Sequence, residues 1–279
     1  MDLAEYRRTS QDIWERMAAG WSGRREWVWQ ASRTVGEWMV AKVDPQPGQT
    51  ILELAAGTGE TGFVAAARLG DDGRLISTDF ASRMVEAGRE RAAELGLSNV
   101  EFRRMDAEHM DLDDDSVDGV LCRWGYMLMA DPAAALAETR RVLRDGGRLA
   151  LSVWSAADDN PWGTISREVL NDHGYLPAPK PGDPGIFSMG REERIRELVG
   201  GAGFEAIEIE AIPLEWRFDA FDDYWYFLQQ MAGAIALVLE RLTDEQRTEV
   251  HDEMERKAAP FRANGAYVMP GKVLNAVAS

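Results

Sequence analysis

The stretch Ile51-Leu52-Glu53-Leu54-Ala55-Ala56-Gly57-Thr58-Gly59-Glu60-Thr61-Gly62 runs from an apolar strand pattern through a glycine-rich turn into a helical pattern. Glycines in such a turn let a ligand come close to the backbone. Taken alone, Gly57-x-Gly59-x-x-Gly62 matches the dinucleotide fingerprint, and a lone match of that kind says little. Glu53 separates the readings. A dinucleotide loop sets pyrophosphate on the helix N-terminus, where a carboxylate just before the turn would oppose it. A cationic ligand without phosphate is attracted instead, and Glu60, directly after the glycines, points the same way.

Outward from this loop, short apolar runs alternate with longer helical patterns, which is the signature of a parallel sheet with crossover helices. Strands are predicted at Thr50–Leu54, Arg74–Asp79, Val100–Met105, Val117–Arg123 and Gly147–Trp154, and helices at Glu60–Leu69, Ser82–Leu95 and Pro132–Leu143. The strands are apolar along nearly their whole length, as burial on both faces requires. Asp79 ends the second strand about 20 residues after the loop, where a carboxylate accepts from both hydroxyls of a ribose; a nicotinamide dinucleotide wants that acid too. Asp106, after the third strand, adds an acid suited to an adenine amino group.

Composition narrows the class. Of 279 residues, 45% are hydrophobic and ten are tryptophan, so the chain has the apolar surface an ordered core needs. Its net charge of −17 repels phosphate backbones, and no basic run exceeds two residues, so nucleic acid is not expected as a partner. Cys122 is the single cysteine, which excludes an internal disulfide and any multi-cysteine metal site. The charged opening Met1–Arg8 predicts no signal peptide. The longest apolar run, Ala234–Leu239, is far below the ~20 residues of a membrane span. A cytoplasmic location follows as the expectation, and the acidic surface neither selects nor forbids a homodimer.

At this point a family resemblance is plain. Leu52-Glu53-Leu54-Ala55-Ala56-Gly57-Thr58-Gly59, Asp79-Phe80-Ala81-Ser82-Arg83-Met84, Asp106-Ala107-Glu108 and Ala137-Glu138-Thr139-Arg140-Arg141-Val142-Leu143-Arg144-Asp145-Gly146-Gly147-Arg148-Leu149 resemble class I S-adenosylmethionine-dependent methyltransferases of the ubiquinone/menaquinone-biosynthesis type. The resemblance covers residues 45–154. It implies an α/β fold, a Rossmann-like, seven-stranded, mostly parallel sheet with helices on both faces, to which this chain's own helical patterns add an N-terminal helical arm and a helical cap. It also implies S-adenosyl-L-methionine as cofactor, S-adenosyl-L-homocysteine as product and a small-molecule acceptor. Glu53, Ala55, Gly57 and Gly59 would hold the methionine portion and Asp79 the ribose. Phe80 and Met84 would sandwich adenine with Asp106 and Ala107, and Arg123 would lie near the sulfonium. Ala55 departs from the family, which often has glycine there.

The expected organisation is an arm at 1–43, a core at 44–213 with an insertion at 155–190, a cap at 214–263, and a final strand at 264–279. Glu205–Pro213 and Val273–Ala278 supply the last two strands. Helical patterns at Asp222–Leu242 and Asp244–Pro260 fill the cap. Five tryptophans, 14, 21, 27, 29 and 38, fall in the arm. Trp21, at a break in its helical pattern, is expected to close over the cofactor, while Trp14, Trp27 and Trp38 are packing residues.

Methyl transfer is an in-line displacement, so aligning the acceptor and excluding water are the protein's main tasks. His173 and Tyr126 are the candidate catalytic residues, and Trp124, Tyr126 and Trp154 line an acceptor pocket suited to O- or C-methylation of an apolar or aromatic metabolite. His109 reads as packing beside the adenine loop and His251 as solvated. No metal site is expected, because the acids at 111–115 read as a solvated loop. Two other classes fit the loop: an NAD(P)-linked oxidoreductase, and a relative that binds the cofactor without turnover.

Overall fold

The computed structural model describes residues 2–178, 180 and 182–279; Pro179 and Pro181, within the predicted insertion, lie outside them. Two helices open the chain, α1 (Leu3–Gly23) and α2 (Arg25–Val43). Then β1 (Thr50–Glu53), α3 (Glu60–Ala66), β2 (Arg74–Asp79), α4 (Ser82–Glu94), β3 (Val100–Arg104), β4 (Val117–Arg123), α5 (Pro132–Val142) and β5 (Leu143–Trp154) alternate as predicted. There follow α6 (Pro161–Asp172), α7 (Glu192–Gly201), β6 (Glu208–Phe218), α8 (Phe221–Gln230), α9 (Ala234–Arg241), α10 (Asp244–Ala258), β7 (Arg262–Ala263) and β8 (Ala266–Ala278).

The sheet order is β3-β2-β1-β4-β5-β8-β6, with β1 parallel to both β2 and β4, and β8 antiparallel to β5 and β6. Chain direction reverses its walk across the sheet between β1 and β4. Right-handed crossovers then put α3 and α4 on one face and α5 on the other, and a crevice opens at the carboxyl ends of β1 and β4. The apolar runs explain the strands: Ile51, Leu52, Leu75, Ile76, Val120, Leu121 and Leu149 are essentially inaccessible to water. Each such side chain contributes roughly 1.5–3 kcal/mol on burial.

The expected seven strands become eight. Asn264 and Gly265, both at positive φ (51° and 86°), form a tight turn that pairs Arg262–Ala263 with the start of β8. The last two long strands also differ from the predicted Glu205–Pro213 and Val273–Ala278: β6 runs on past Pro213 to Phe218, and β8 begins at Ala266, before Pro270. Pro213 lies on β6, the edge of the sheet, and Pro270 on the part of β8 that β5 does not reach, so neither proline breaks a ladder. The predicted helix Asp222–Leu242 divides into α8 and α9 at Gly233, whose φ is 57°. In the arm, α1 runs unbroken through Trp21, and the break falls at Arg24.

Helix α2 buries Val28, Val35, Met39 and Val40 in the main core, and Asn275 of β8 donates to the Val35 carbonyl (3.3 Å). The arm is therefore built into the domain through α2. Met39→Ala is expected to cost about 2–5 kcal/mol through lost burial and a residual cavity; a shift in the urea midpoint at unchanged slope checks it.

Candidate active site

The glycine-rich turn leaves β1 through a residue in the left-handed region, Ala55 at φ 49°, and passes Gly57 at 57° and Gly59 at 91°. Glycine relieves that conformation at no steric cost, whereas Ala55 bears about 1–2 kcal/mol of strain. Its methyl group also leaves no room for a side chain at Gly125, where a Cβ would lie 2.8 Å from the Ala55 Cβ. The turn thus touches the end of β4 directly. A Cβ on Gly57 would meet open space, so the backbone there faces the crevice.

Two acids hold the turn. The Asp79 carboxylate accepts from the Gly57 and Ala81 N–H groups, both at 3.0 Å. Glu53 accepts from the Gly62 N–H at 2.8 Å, and its other oxygen is buried with no partner among the described residues. Burial pushes the Glu53 carboxyl up to about 8, against the Gly62 N–H and the Arg123 charge. Burial likewise pushes Asp79 up to about 6, against the N–H groups of Ala81 and Gly57. Glu60, also buried and raised by burial, accepts from the Thr58 hydroxyl, and its second oxygen makes no hydrogen bond but lies 3.6 Å from Arg91 Nε.

Arg123 is partly buried and reaches into this acidic corner, donating to Thr61 Oγ1 (2.9 Å) and Ser32 Oγ (3.4 Å). Its guanidinium carbon lies 4.5 Å from the centre of the Trp124 ring. From there an aromatic cluster extends. Trp124 stacks on Trp154 at 4.5 Å, Trp154 meets Trp162 at 4.5 Å, and Trp216 stands 5.8–6.3 Å from all three. Trp27 of the arm and Phe227 of α8 close on Trp216 at 4.8 and 6.0 Å.

Helix α1 lies along the same rim. Glu15 accepts from the Ser82 and Arg83 N–H groups at 2.6 and 2.9 Å, supplying the cap that α4 otherwise lacks. Gln11 donates to the Phe80 carbonyl, Tyr6 to the Leu128 carbonyl, and Arg7 to the buried Glu108. Trp21 donates to the Met231 carbonyl and packs with Trp14, Phe80 and Met84 in a small apolar cluster. Asp106, whose carboxylate accepts from the Glu108 N–H, and Ala107 border this region on the β3 loop.

The structure thus brings Glu53, Ala55, Gly57, Gly59, Asp79 and Arg123 to the crevice, Phe80, Met84 and Trp21 to its arm side, and Trp124 and Trp154 to its aromatic side. Two residues are elsewhere. Tyr126 is wholly buried, and its hydroxyl donates to Thr139 Oγ1 at 2.6 Å in the packing between β4 and α5. His173 caps the far end of α6 and pairs with Glu253 of α10 at 2.8 Å; a rise of ~1.5 Å per residue puts it some 16 Å along the helix from Trp162. His109 is exposed in an outer groove of about 540 Å³, and the Glu108 and Glu138 carboxylates of that groove are already bonded to Arg7 and Arg141. Glu15, Glu108 and Trp216 were missed, the first two because the partners that tie the arm to the rim lie 67 and 101 residues apart in sequence.

A family model described as a methyltransferase domain matches residues 45–177. The ubiquinone/menaquinone biosynthesis C-methyltransferase UbiE of Klebsiella pneumoniae is 30% identical over 172 residues, which is 58% of this chain and 68% of that protein. The chain belongs to the class I S-adenosylmethionine-dependent methyltransferases of the UbiE-like type. An arsenite methyltransferase of Halobacterium salinarum is 32% identical over 163 residues, 58% of this chain; the chain spans only 39% of that protein's length. The crystal structure of the YcgJ protein of Bacillus subtilis has the same fold, with a TM-score of 0.60 at 20% identity over 88% of this chain and 97% of that one.

S-adenosylmethionine is the cofactor of this methyltransferase family, and the residues present fit it. Glu53, with one buried carboxyl oxygen that accepts no hydrogen bond, and the buried Glu60 flank the turn whose Gly57 faces open space, and a pair of acids there suits a ligand bearing an ammonium and a sulfonium. That fit, with the family match, sets aside the NAD(P) reading.

Glu53 makes a signed prediction. An acid whose pKa is higher in the folded chain keeps a proton there after the unfolded chain has lost it, so its contribution to stability falls as pH rises from about 4.5 to about 8. The ligand-free protein is expected to lose Tm over that window, and Glu53→Gln to flatten the loss. A cation pairing with Glu53 must expel the proton, so S-adenosylhomocysteine binding releases protons near neutral pH. Calorimetry in two buffers of different ionisation enthalpy measures this, and identical heats in the wild type would refute it. Asp79→Ala removes the acceptor for two loop N–H groups and is expected to weaken S-adenosylhomocysteine at least about tenfold, or ~1.4 kcal/mol.

Proposed function

We propose that the chain transfers the methyl group of S-adenosylmethionine to an oxygen or carbon atom of a small, mostly apolar or aromatic metabolite. The observation that carries this reading is the tryptophan cluster, which begins one residue beyond Arg123 and abuts the glycine-rich turn through Gly125 and Ala55. The four rings are buried and exclude water, and a planar apolar body is the guest whose chemistry matches them. The bound cofactor supplies a methyl group already activated by its sulfonium. The chain's residues then have to bind, orient and shield: Glu53 and Asp79 at the cofactor, Trp124 and Trp154 at the acceptor, Trp21 as a cover over the adenosine side.

None of the three histidines reaches the cluster, and the reading assigns no histidine base. The name of the Klebsiella relative, a C-methyltransferase of quinone biosynthesis, supports an acceptor of this kind. Arsenite, named for the Halobacterium relative, fits poorly here. A soft acceptor wants thiolates, and the only cysteine, Cys122, is buried with its thiol pushed up to about 12 by that burial.

Incubation with methyl-labelled cofactor and a metabolite extract, followed by mass identification of the labelled product, tests the proposal. A small product labelled on oxygen or carbon is expected. Label on nitrogen would overturn the acceptor assignment. Heat with S-adenosylhomocysteine but no labelled product would point to a relative that binds without turnover, and heat only with NAD would overturn the whole reading.

A further inference from the structure

Buried indole N–H groups normally find an acceptor. Trp21, Trp27, Trp38 and Trp162 do so here, at the carbonyls of Met231 and Arg217 and the side-chain oxygens of Glu210 and Asn160. Trp124 and Trp216 do not. They are only 7% and 2% exposed, and their Nε1 atoms have no hydrogen-bond partner among the described residues. The two rings come from different elements, the end of β4 and the outer half of β6, and stand 6.3 Å apart. Trp124 is unusual in a second way. Its φ is 63°, a left-handed conformation that a bulky side chain seldom adopts and that concentrates at ligand-holding sites.

Both unpaired groups are donors, and the Arg123 guanidinium lies over the Trp124 face. Such a pair matches an oxygen, neutral or anionic, and opposes an ammonium group. We propose that Trp124 and Trp216 select the methyl acceptor by donating their indole N–H groups to an oxygen on a planar apolar body. The substrates are then phenolic or enolic rather than amines. This rests on the methyltransferase reading and adds the specificity-determining residues to it. The rings pack at contact spacing, so the acceptor enters by parting them, and α8 with Phe227 is the element that gives way while α2 holds Trp27 in place.

Equilibrium dialysis of the full chain saturated with S-adenosylhomocysteine, using 2-naphthol, 2-methylnaphthalene and 2-naphthylmethylamine as probes, tests the assignment. 2-Naphthol is expected to bind at least about tenfold tighter than either of the others, since a site built for an oxygen penalises a ligand that leaves its donors unpaired. Trp124→Phe and Trp216→Phe keep an aromatic ring and lose the donor; each is expected to cut that preference below about threefold while S-adenosylhomocysteine affinity stays within about twofold. Trp38→Phe, outside the cluster and with its N–H committed to the Glu210 carboxylate, should keep the full preference. Equal binding of 2-naphthol and 2-methylnaphthalene, no binding of 2-naphthol, or a preference that survives in both the Trp124 and Trp216 variants overturns the proposal. Failure to bind S-adenosylhomocysteine would instead bring down the cofactor reading, so the two failures are distinguishable.

Discussion

The carboxylate of Glu53 sits at the end of β1 with almost no access to water, and much of the crevice is arranged around it. A buried carboxylate needs donors or a countercharge. The first turn of α3 supplies the Gly62 N–H, and position 62 carries no side chain because a Cβ there would run into the carboxylate itself. Arg123 supplies the countercharge and is held by Thr61 and Ser32, one on α3 and one on α2. Because one carboxylate oxygen is still unpartnered, the corner remains incomplete and favours a further cation. The same Arg123 lies over Trp124, so the charge that balances the cofactor corner also borders the aromatic cluster.

The arm completes the cofactor side by a different route. Its bonds go largely to backbone groups of the rim, at Phe80, Ser82, Arg83 and Leu128, the segments that follow β2 and β4. Glu15 in particular replaces a cap that Ala81 cannot provide for α4. A ligand moving past α1 would have to break several of these bonds together, while α2 stays anchored through Met39 and Val35. Motion of the arm is therefore expected to pivot near Arg24, where the two helices meet.

The core was legible because its signals are local. Apolar strand runs, the glycine turn, Asp79 and the Asp131-Pro132 helix start each lie within a few residues of what they control, and the alternation of elements carried the parallel order. The cluster was less legible for a specific reason. Leu214, Trp216 and Phe218 alternate with Glu215 and Arg217 in strand period, yet Pro213 reads as a stop; only the knowledge that β6 is an edge strand reverses that reading. Tyr126 and His173 looked suitable by position after β4 and β5. Neither position encodes direction, and the one turns into the β4–α5 packing while the other is carried down α6 toward Glu253.

The absence of a histidine from the cluster is coherent with an oxygen-bearing acceptor. Burial raises the pKa of a phenol or enol, whereas donated hydrogen bonds and a nearby cation lower it. Two indole N–H groups and a guanidinium would all favour the oxyanion, and the guanidinium is held in place, since Arg123 is tethered at two points. An acceptor so polarised can release its proton to water as it enters, before the rings close. A histidine inside the cluster would serve that step less well, because as an imidazolium it would add a second positive charge beside the Arg123 guanidinium.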